Sequence, residues 1–130
     1  KPDRVLYKEP LDIIDYFKFM ACLNAAIMMV PLVDTEFNRA KSNIAYIEGT
    51  LAGACVFASR LPEFNRPGCI DVAPGCWGKM LLAAVESANK DPGFIQRNND
   101  TARTHIKEHL YLSKVNKLRE DLVRGLANKK

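Results

Sequence analysis

A glutamate near the middle of the chain has the residue type and setting that most clearly suggest chemistry. Glu48 lies in residues 37–59, FNRAKSNIAYIEGTLAGACVFAS, where a polar loop leads into a predicted short helix and then into an apolar strand. The positions three and four residues from Glu48 hold no basic side chain; they are Ile44, Ala45, Leu51 and Ala52. A half-buried carboxylate without hydrogen-bond donors is costly, so another element or a ligand must supply them.

The residues just before this helix favour an anion. Ser42 is predicted to cap the helix, because its hydroxyl can accept a hydrogen bond from an unpaired N–H of the first turn. A helix N-terminus attracts negative charge, and the Lys41 ammonium adds to this attraction. We therefore expect Lys41 and Glu48 to face one crevice, with phosphate at the start of the helix.

The sequence also indicates how this helix packs and where it ends. Ile44, Ile47 and Leu51 recur at helical spacing, which predicts that the helix packs by this face. Gly53 stands where a left-handed residue commonly ends a helix.

Parallel strands are predicted on both sides of the helix. Residues 25–30 and 54–58 are apolar throughout, which is typical of adjacent central strands that helices cover on both faces. Shorter strands are predicted at 5–7 and 69–72. Ligands of such sheets bind beyond the carboxyl ends of the strands, so the loops that follow the two central strands are the expected binding loops. These loops are residues 32–41 and 59–66.

Helices are predicted near the start of the chain and throughout its last third. The first covers residues 11–23 and has Ile13, Ile14 and Phe17 on its apolar face. The others run from Trp77 to a break at 89–93, from about 94 to 108, and onward from a cap at Ser113. This order predicts an α/β fold: a three-layer Rossmann-like parallel sheet flanked by helices, with further helices at the C-terminus.

The cysteines and histidines show no spacing typical of a metal site. Cys22 and Cys55 lie in apolar runs and are predicted to be buried thiols. Cys69 and Cys76 could meet across a short loop, although a reduced pair is favoured because disulfides are rare in the cytosol. His105 and His109 could form half a metal site, although a coincidence on the surface is the favoured interpretation. We assign the four cysteines no function and expect no metal.

Length and charge limit the classes of protein that fit. With 130 residues the chain is expected to form one domain. Its net charge is +4, and residues 103–130 hold eight basic and three acidic side chains. Such a segment can attract nucleic acid or an anionic membrane surface. We favour a solvated helix face instead, with the apolar side packed on the domain and no binding of nucleic acid; that side comprises Val115, Leu118, Leu122 and Leu126.

Neither a membrane span nor a signal peptide is predicted. The longest apolar run, residues 25–33, has nine residues, whereas a helix needs about 18 to cross a bilayer. The first residues, KPDRVLYKEP, contain no apolar signal-peptide core. A cytoplasmic protein is therefore expected.

The central segment resembles the donor-binding half of GT-B glycosyltransferases, where a polar loop, a helix bearing a glutamate, a glycine turn and a short strand bind a nucleotide sugar. The matching residues are Phe37, Asn38, Lys41, Ser42, Glu48, Ala52, Gly53 and the strand 55–59. The resemblance implies that Glu48 accepts hydrogen bonds from the ribose hydroxyls. It also implies that Asn38, Lys41 and Ser42 lie near the phosphates or the sugar. Many members carry a second glutamate eight residues earlier, where this chain has Ala40.

The function implied by the resemblance is transfer of a sugar from a nucleotide diphosphate donor to an acceptor, with the donor as substrate and no separate cofactor. The family's donor half begins with a further strand and helix, and an acceptor-binding domain precedes it. Neither has a counterpart in residues 1–130, so this single domain is expected to be inactive alone. The alternative hypothesis is a non-catalytic interaction module that retains the GT-B-like fold.

Overall fold

The computed structural model describes residues 7–127, which form three parallel strands with helices between and after them. The strands are β1 (Ile27–Val30), β2 (Cys55–Ser59) and β3 (Ile70–Val72). The helices are α1 (Ile13–Leu23), α2 (Glu36–Arg39), α3 (Ile44–Leu51), α4 (Trp77–Lys90), α5 (Phe94–His105) and α6 (Leu112–Ala127). A 3₁₀ turn at Pro62–Phe64 follows β2, and a π-helical turn at Ile106–Leu110 follows α5.

The strand order is β1-β2-β3 and both pairs are parallel, so the predicted parallel pairing of the two apolar strands is confirmed. Every residue of β2 is buried. β1 is only partly covered, and Met29 is 42% exposed. The prediction that helices cover both faces is therefore wrong for β1. Met28 and Val30 pack against the cluster around Tyr46 on one face, whereas Met29 points to the opposite face, which the helices leave partly uncovered.

Two apolar clusters lie on opposite faces of β2, because successive side chains of a strand alternate. On one face, Val56 and Ala58 pack with Tyr46 of α3. On the other face, Cys55 and Phe57 pack with side chains of β3 and α4, among them Val72 and Ala84. Burial is therefore concentrated around the central strand.

The helix α3 packs by a different face from the one its sequence predicts. Tyr46 and Gly49 are buried, whereas Ile44 is 59% and Leu51 50% exposed. Gly49 brings the helix backbone very close to the sheet, since a Cβ there would lie 2.5 Å from Met28 Sδ. The small residue thus selects the buried face. Of the predicted stripe, Ile47 packs partly buried against the cluster around Tyr46, whereas Ile44 and Leu51 are left toward α1 and solvent. Gly53 ends the helix region with φ +94°, as predicted.

The helix α1 begins after Asp12, whose carboxylate accepts hydrogen bonds from the N–H groups of Ile14 and Asp15. No residue of α1 is buried, and Ile13, Ile14 and Phe17 are exposed. Its apolar face therefore contributes little to the core. Of the strand predicted at 5–7, two residues lie outside the described part of the chain, and Tyr7 is exposed and not in a strand.

On α4, Ala84 is buried, and Trp77 and Met80 pack partly buried against the same cluster, whereas Leu81 and Val85 are exposed. Ser113 lies inside α6 rather than at its cap, because the helix already begins one residue earlier. Leu118 is 68% exposed, so the prediction that this face packs on the domain is wrong there. The side chains of Leu122 and Leu126 lie outside the described ones.

The helices of residues 7–127 are all too short or too polar to span a bilayer.

The four cysteines differ in burial, and only some match the burial predicted from the sequence. Cys55 is buried as predicted, but Cys22 is exposed, because α1 lies on the surface. Cys69 and Cys76 are both unpaired thiols and pack against different apolar clusters. The two thiols therefore do not meet across the loop, and they are in the reduced state that the sequence favoured.

We expect Cys22 to react with a thiol reagent such as dithionitrobenzoate well before Cys55 and Cys69. Burial raises the pKa of Cys55 to about 11 and that of Cys69 to about 12, so the reactive thiolate is scarce at neutral pH. The measurement is the absorbance of released thionitrobenzoate, with Cys22→Ser as the variant that should lose the fast phase. Rapid labelling of Cys55, located by peptide mapping, would contradict the expectation.

Candidate functional site

Glu48 receives its hydrogen-bond donor from another helix. The hydroxyl of Tyr16 on α1 donates to Glu48 Oε2 over 2.9 Å. Burial raises the pKa of Tyr16, and the hydrogen bond to Glu48 raises it further. Reasoning from the sequence required a donor outside α3 but did not identify Tyr16, since nothing in the local pattern points to it.

A groove of about 370 Å³ lies between α1 and α3, beside this contact. Its walls are apolar apart from Glu48; they comprise Phe17, Met20, Ala21, Ile44, Ile47, Leu51 and Ala52. Tyr16 occupies one oxygen of the Glu48 carboxylate, and a carboxylate can accept about four hydrogen bonds. The groove therefore combines apolar walls with one acceptor that has spare capacity, which suits a ligand carrying hydroxyl groups.

The start of α3 has no side-chain cap, so the prediction that Ser42 caps this helix is wrong. The residue at the cap position is Asn43, whose side chain also makes no capping hydrogen bond. Its backbone, with φ −80° and ψ 27°, is not in the extended conformation that turns a capping side chain toward the first turn. The first-turn N–H groups of α3 are thus left without a side-chain acceptor.

Lys41 and Ser42 line a second depression, of about 310 Å³, at this helix start. The Lys41 ammonium lies 5.2 Å from the centroid of the Phe37 ring. Among the described side chains, no carboxylate forms an ion pair with Lys41. Its charge therefore remains available to an anion near the start of α3.

Asn38 holds the loop before α3 by two hydrogen bonds. Its amide donates to the Val33 carbonyl over 2.8 Å, and its backbone N–H donates to Thr35 Oγ1 over 3.2 Å. In the same loop, Arg39 contacts both oxygens of Asp34, over 2.5 and 2.9 Å. This guanidinium lowers the pKa of the Asp34 carboxyl. The charges of Arg39 and Asp34 thus compensate each other.

A third cavity, of about 530 Å³, lies beyond the carboxyl ends of the strands, where the loop rule places a ligand. Both predicted loops contribute to it, and the Leu32 N–H ties them together by donating to Ser59 Oγ over 2.7 Å. Arg60 lines the cavity and pairs with Asp71 over 2.7 Å. Trp77 is half-buried; it packs against the apolar cluster around Phe57 and lines the same cavity.

One loop that lines this cavity was not predicted from the sequence. The turn at Pro74 and Gly75 follows β3, so the rule that selected the other two loops applies to this third loop as well.

The three depressions adjoin one another through shared lining residues. Ile44 lines both the groove of Glu48 and the depression of Lys41, and Leu32 lines both that depression and the cavity at the strand ends. Glu48 and Lys41 therefore line neighbouring depressions, separated by Ile44, rather than a single one. The series is longer than any of the depressions alone, which suits an elongated ligand.

The histidine pair lies away from these depressions. The rings of His105 and His109 are 4.9 Å apart, and both line a cavity of about 480 Å³ with Asp100 and Glu108. Burial lowers the pKa of His105, and the charge of His109 lowers it further. Within residues 7–127, no three histidine, cysteine, aspartate or glutamate side chains are grouped so as to hold a metal ion.

No family model, curated protein or solved structure matches this chain. The case for a function therefore rests on the geometry of Glu48, Lys41 and the three adjoining depressions.

Proposed function

We propose that this chain binds a nucleotide diphosphate-sugar and acts as the donor-binding part of a glycosyltransferase. The observation that carries the proposal is the Glu48 carboxylate, which has one neutral donor and spare acceptor capacity in an otherwise apolar groove. In this proposal the vicinal hydroxyls of ribose supply the further donors. Uncharged hydroxyls satisfy a carboxylate without the desolvation cost of a second buried charge.

The position of Lys41 supports placing the diphosphate at the start of α3. The helix N-terminus offers N–H groups that no side chain caps, and the Lys41 ammonium has no carboxylate partner among the described residues. Both features favour an anion. Ser42 lines the same depression and can donate its hydroxyl proton to a phosphate oxygen. Asn38 contributes indirectly, by holding the loop that carries Lys41.

The arrangement of the depressions supports an elongated donor. A nucleoside at Glu48 would continue past Ile44 to the diphosphate at Lys41, and then past Leu32 to the sugar in the cavity at the strand ends. There, Arg60 and Trp77 could contact the sugar by hydrogen bonding and by stacking. Catalysis would be electrostatic, by stabilisation of the departing diphosphate.

The proposed fold is the three-layer Rossmann-like arrangement of the GT-B donor half. It is supported by the parallel strand order and by the apolar clusters on the two faces of β2. In the resembling enzymes acceptors bind to a separate domain. The activity to test in residues 1–130 is therefore donor binding rather than sugar transfer.

We expect Glu48→Ala to weaken nucleotide diphosphate binding by about 1 to 3 kcal/mol, because a hydrogen bond to a charged group is lost. The measurement is calorimetric titration of UDP and of GDP into the wild-type protein and the variant. The control is Glu86→Ala, which removes an exposed glutamate from α4 and should leave the affinity unchanged. Equal affinities of wild type and Glu48→Ala would remove Glu48 from the site, and the absence of any heat would refute the function.

The second candidate is the interaction module, which is favoured by the apolar side chains that α1 and α3 leave exposed. Ile13 is 66% and Ile14 64% exposed, in addition to Ile44 and Leu51 on α3. Exposed apolar patches are typical of protein contact sites. A folded wild-type protein that binds neither nucleotide would favour this candidate over donor binding.

A further inference from the structure

Tyr16 is the residue through which α1 contacts the Glu48 carboxylate. The two side chains meet over 2.9 Å although 32 positions separate them in the chain. Within residues 7–127, this is the one side-chain hydrogen bond that joins α1 to α3. The contact lies at the groove proposed for the nucleoside, so it acts directly on the group that would bind ribose.

The chemistry of this contact orients Glu48 without neutralising it. A tyrosine hydroxyl is an uncharged donor, and burial together with the Glu48 hydrogen bond raises the pKa of Tyr16 above its ordinary value near 10. The hydroxyl therefore stays protonated at neutral pH and occupies Oε2 alone. A lysine at this place would cancel the carboxylate charge, whereas tyrosine leaves it available to other hydroxyl donors.

We propose that Tyr16 is a positioning residue, which holds Glu48 through Oε2 so that Oε1 accepts hydrogen bonds from the vicinal hydroxyls of ribose in a nucleoside diphosphate. The inference rests on the proposed function and deepens it, because it names what fixes the carboxylate. A glutamate side chain has several rotamers, and a side chain held in place loses less entropy when its ligand binds. The site should then prefer ribose to 2′-deoxyribose, since loss of the 2′-hydroxyl removes a hydrogen bond that the fixed carboxylate is oriented to accept.

A purely structural contact between the two helices would behave differently. Tyr16→Phe keeps the ring, which lies 5.5 Å from the Phe17 ring between centroids, and removes only the hydroxyl. Because Tyr16 is half-buried and α1 has no buried residue, the variant should remain folded. A structural role would weaken the binding of ribonucleotides and deoxyribonucleotides equally. A positioning role changes the ratio between them.

The test measures, by calorimetry, the dissociation constants of UDP, GDP and their 2′-deoxy forms for wild type, Tyr16→Phe, Glu48→Gln and the double variant. We expect Tyr16→Phe to bind the preferred ribonucleotide about tenfold more weakly and to lose most of the preference for ribose. Glu48→Gln should lose the same preference, and adding Tyr16→Phe to it should cause no further loss. Tyr111→Phe, at an exposed tyrosine, is the matched control and should resemble wild type.

Three outcomes would overturn the inference. If Tyr16→Phe binds like wild type, or binds more weakly with an unchanged preference for ribose, Tyr16 does not position Glu48 while the proposed function stands. If wild type binds both sugar forms equally, Glu48 does not read the 2′-hydroxyl. If no nucleotide binds to wild type, the proposed function itself fails, and the inference fails with it.

Discussion

Replacing Gly68 by alanine is expected to destabilise the protein by about 2 to 5 kcal/mol, the largest effect of any single substitution considered. Gly68 has φ +74°, a conformation that costs an alanine about 1 to 2 kcal/mol. In addition, a Cβ there would lie 2.2 Å from the Asn98 carbonyl oxygen and 2.6 Å from the Ala102 nitrogen. Both obstacles are backbone atoms of α5, which cannot turn aside as a side chain can.

The turn at Gly68 cannot easily move away from α5 to relieve this clash. The Tyr46 hydroxyl donates to the carbonyl of Pro67 over 2.8 Å, so the turn is also tied to α3. Urea unfolding followed by circular dichroism measures the change. Gly75→Ala is the matched control, because Gly75 has the same φ of +74° but no atom within 4 Å of its Cβ position. Equal losses in the two variants would show that the approach of α5 contributes nothing.

Asn99→Ala is expected to destabilise the protein by about 2 to 4 kcal/mol, because it leaves buried carbonyl groups without donors. Asn99 is 2% exposed, and its amide donates to the carbonyls of Thr50 and Ala54 over 2.9 and 2.8 Å. These carbonyls lie at the end of α3 and at the entry to β2. In the variant the Thr50 carbonyl would still accept a hydrogen bond from the Gly53 N–H over 3.1 Å, so the Ala54 carbonyl would lose more.

The neighbouring asparagine provides the control for this prediction. Asn98 is half-buried, and its amide donates to the Phe94 carbonyl of its own helix. Without this side chain, the Phe94 carbonyl would still find donors in the helix backbone or solvent. Asn98→Ala should therefore cost less than about 1 kcal/mol. Asn99→Asp should also destabilise the protein at neutral pH, since a carboxylate cannot donate to either carbonyl, even though Arg103 Nε, which donates to Asn99 Oδ1 over 2.9 Å, would pair with it. An Asn99→Ala variant as stable as Asn98→Ala would refute the role of Asn99.

The strands were predictable because their signals are local. Residues 25–30 and 54–58 are continuous apolar runs, and Pro31 and Gly53 limit them. A short apolar run between turn residues is typical of a buried strand. Two such strands joined by a helix can pair in parallel, because the helix returns the chain to the same end of the sheet. The observed strands, β1 and β2, fall within one residue or two of those bounds and pair as expected.

The packing faces of the helices were not predictable by the same reasoning. Helical spacing shows that Ile44, Ile47 and Leu51 share a face, but the sequence does not say which neighbour covers that face. The close approach of Gly49 to Met28 selects another face of α3. Likewise, an apolar stripe on α1 did not ensure burial, because burial depends on the elements around a helix as well as on its own residues.

The sequence by itself determined the α/β class, the parallel pairing of β1 with β2, the two loops that follow these strands and the need of Glu48 for a donor outside its own helix. Each of these follows from residue types within a short segment. Only the tertiary structure decided that Tyr16 is that donor, that Asn43 rather than Ser42 stands at the start of α3, and that Ile44 separates Glu48 from Lys41. Contacts between residues far apart in the chain depend on how whole elements pack, and no local pattern of side chains specifies that packing.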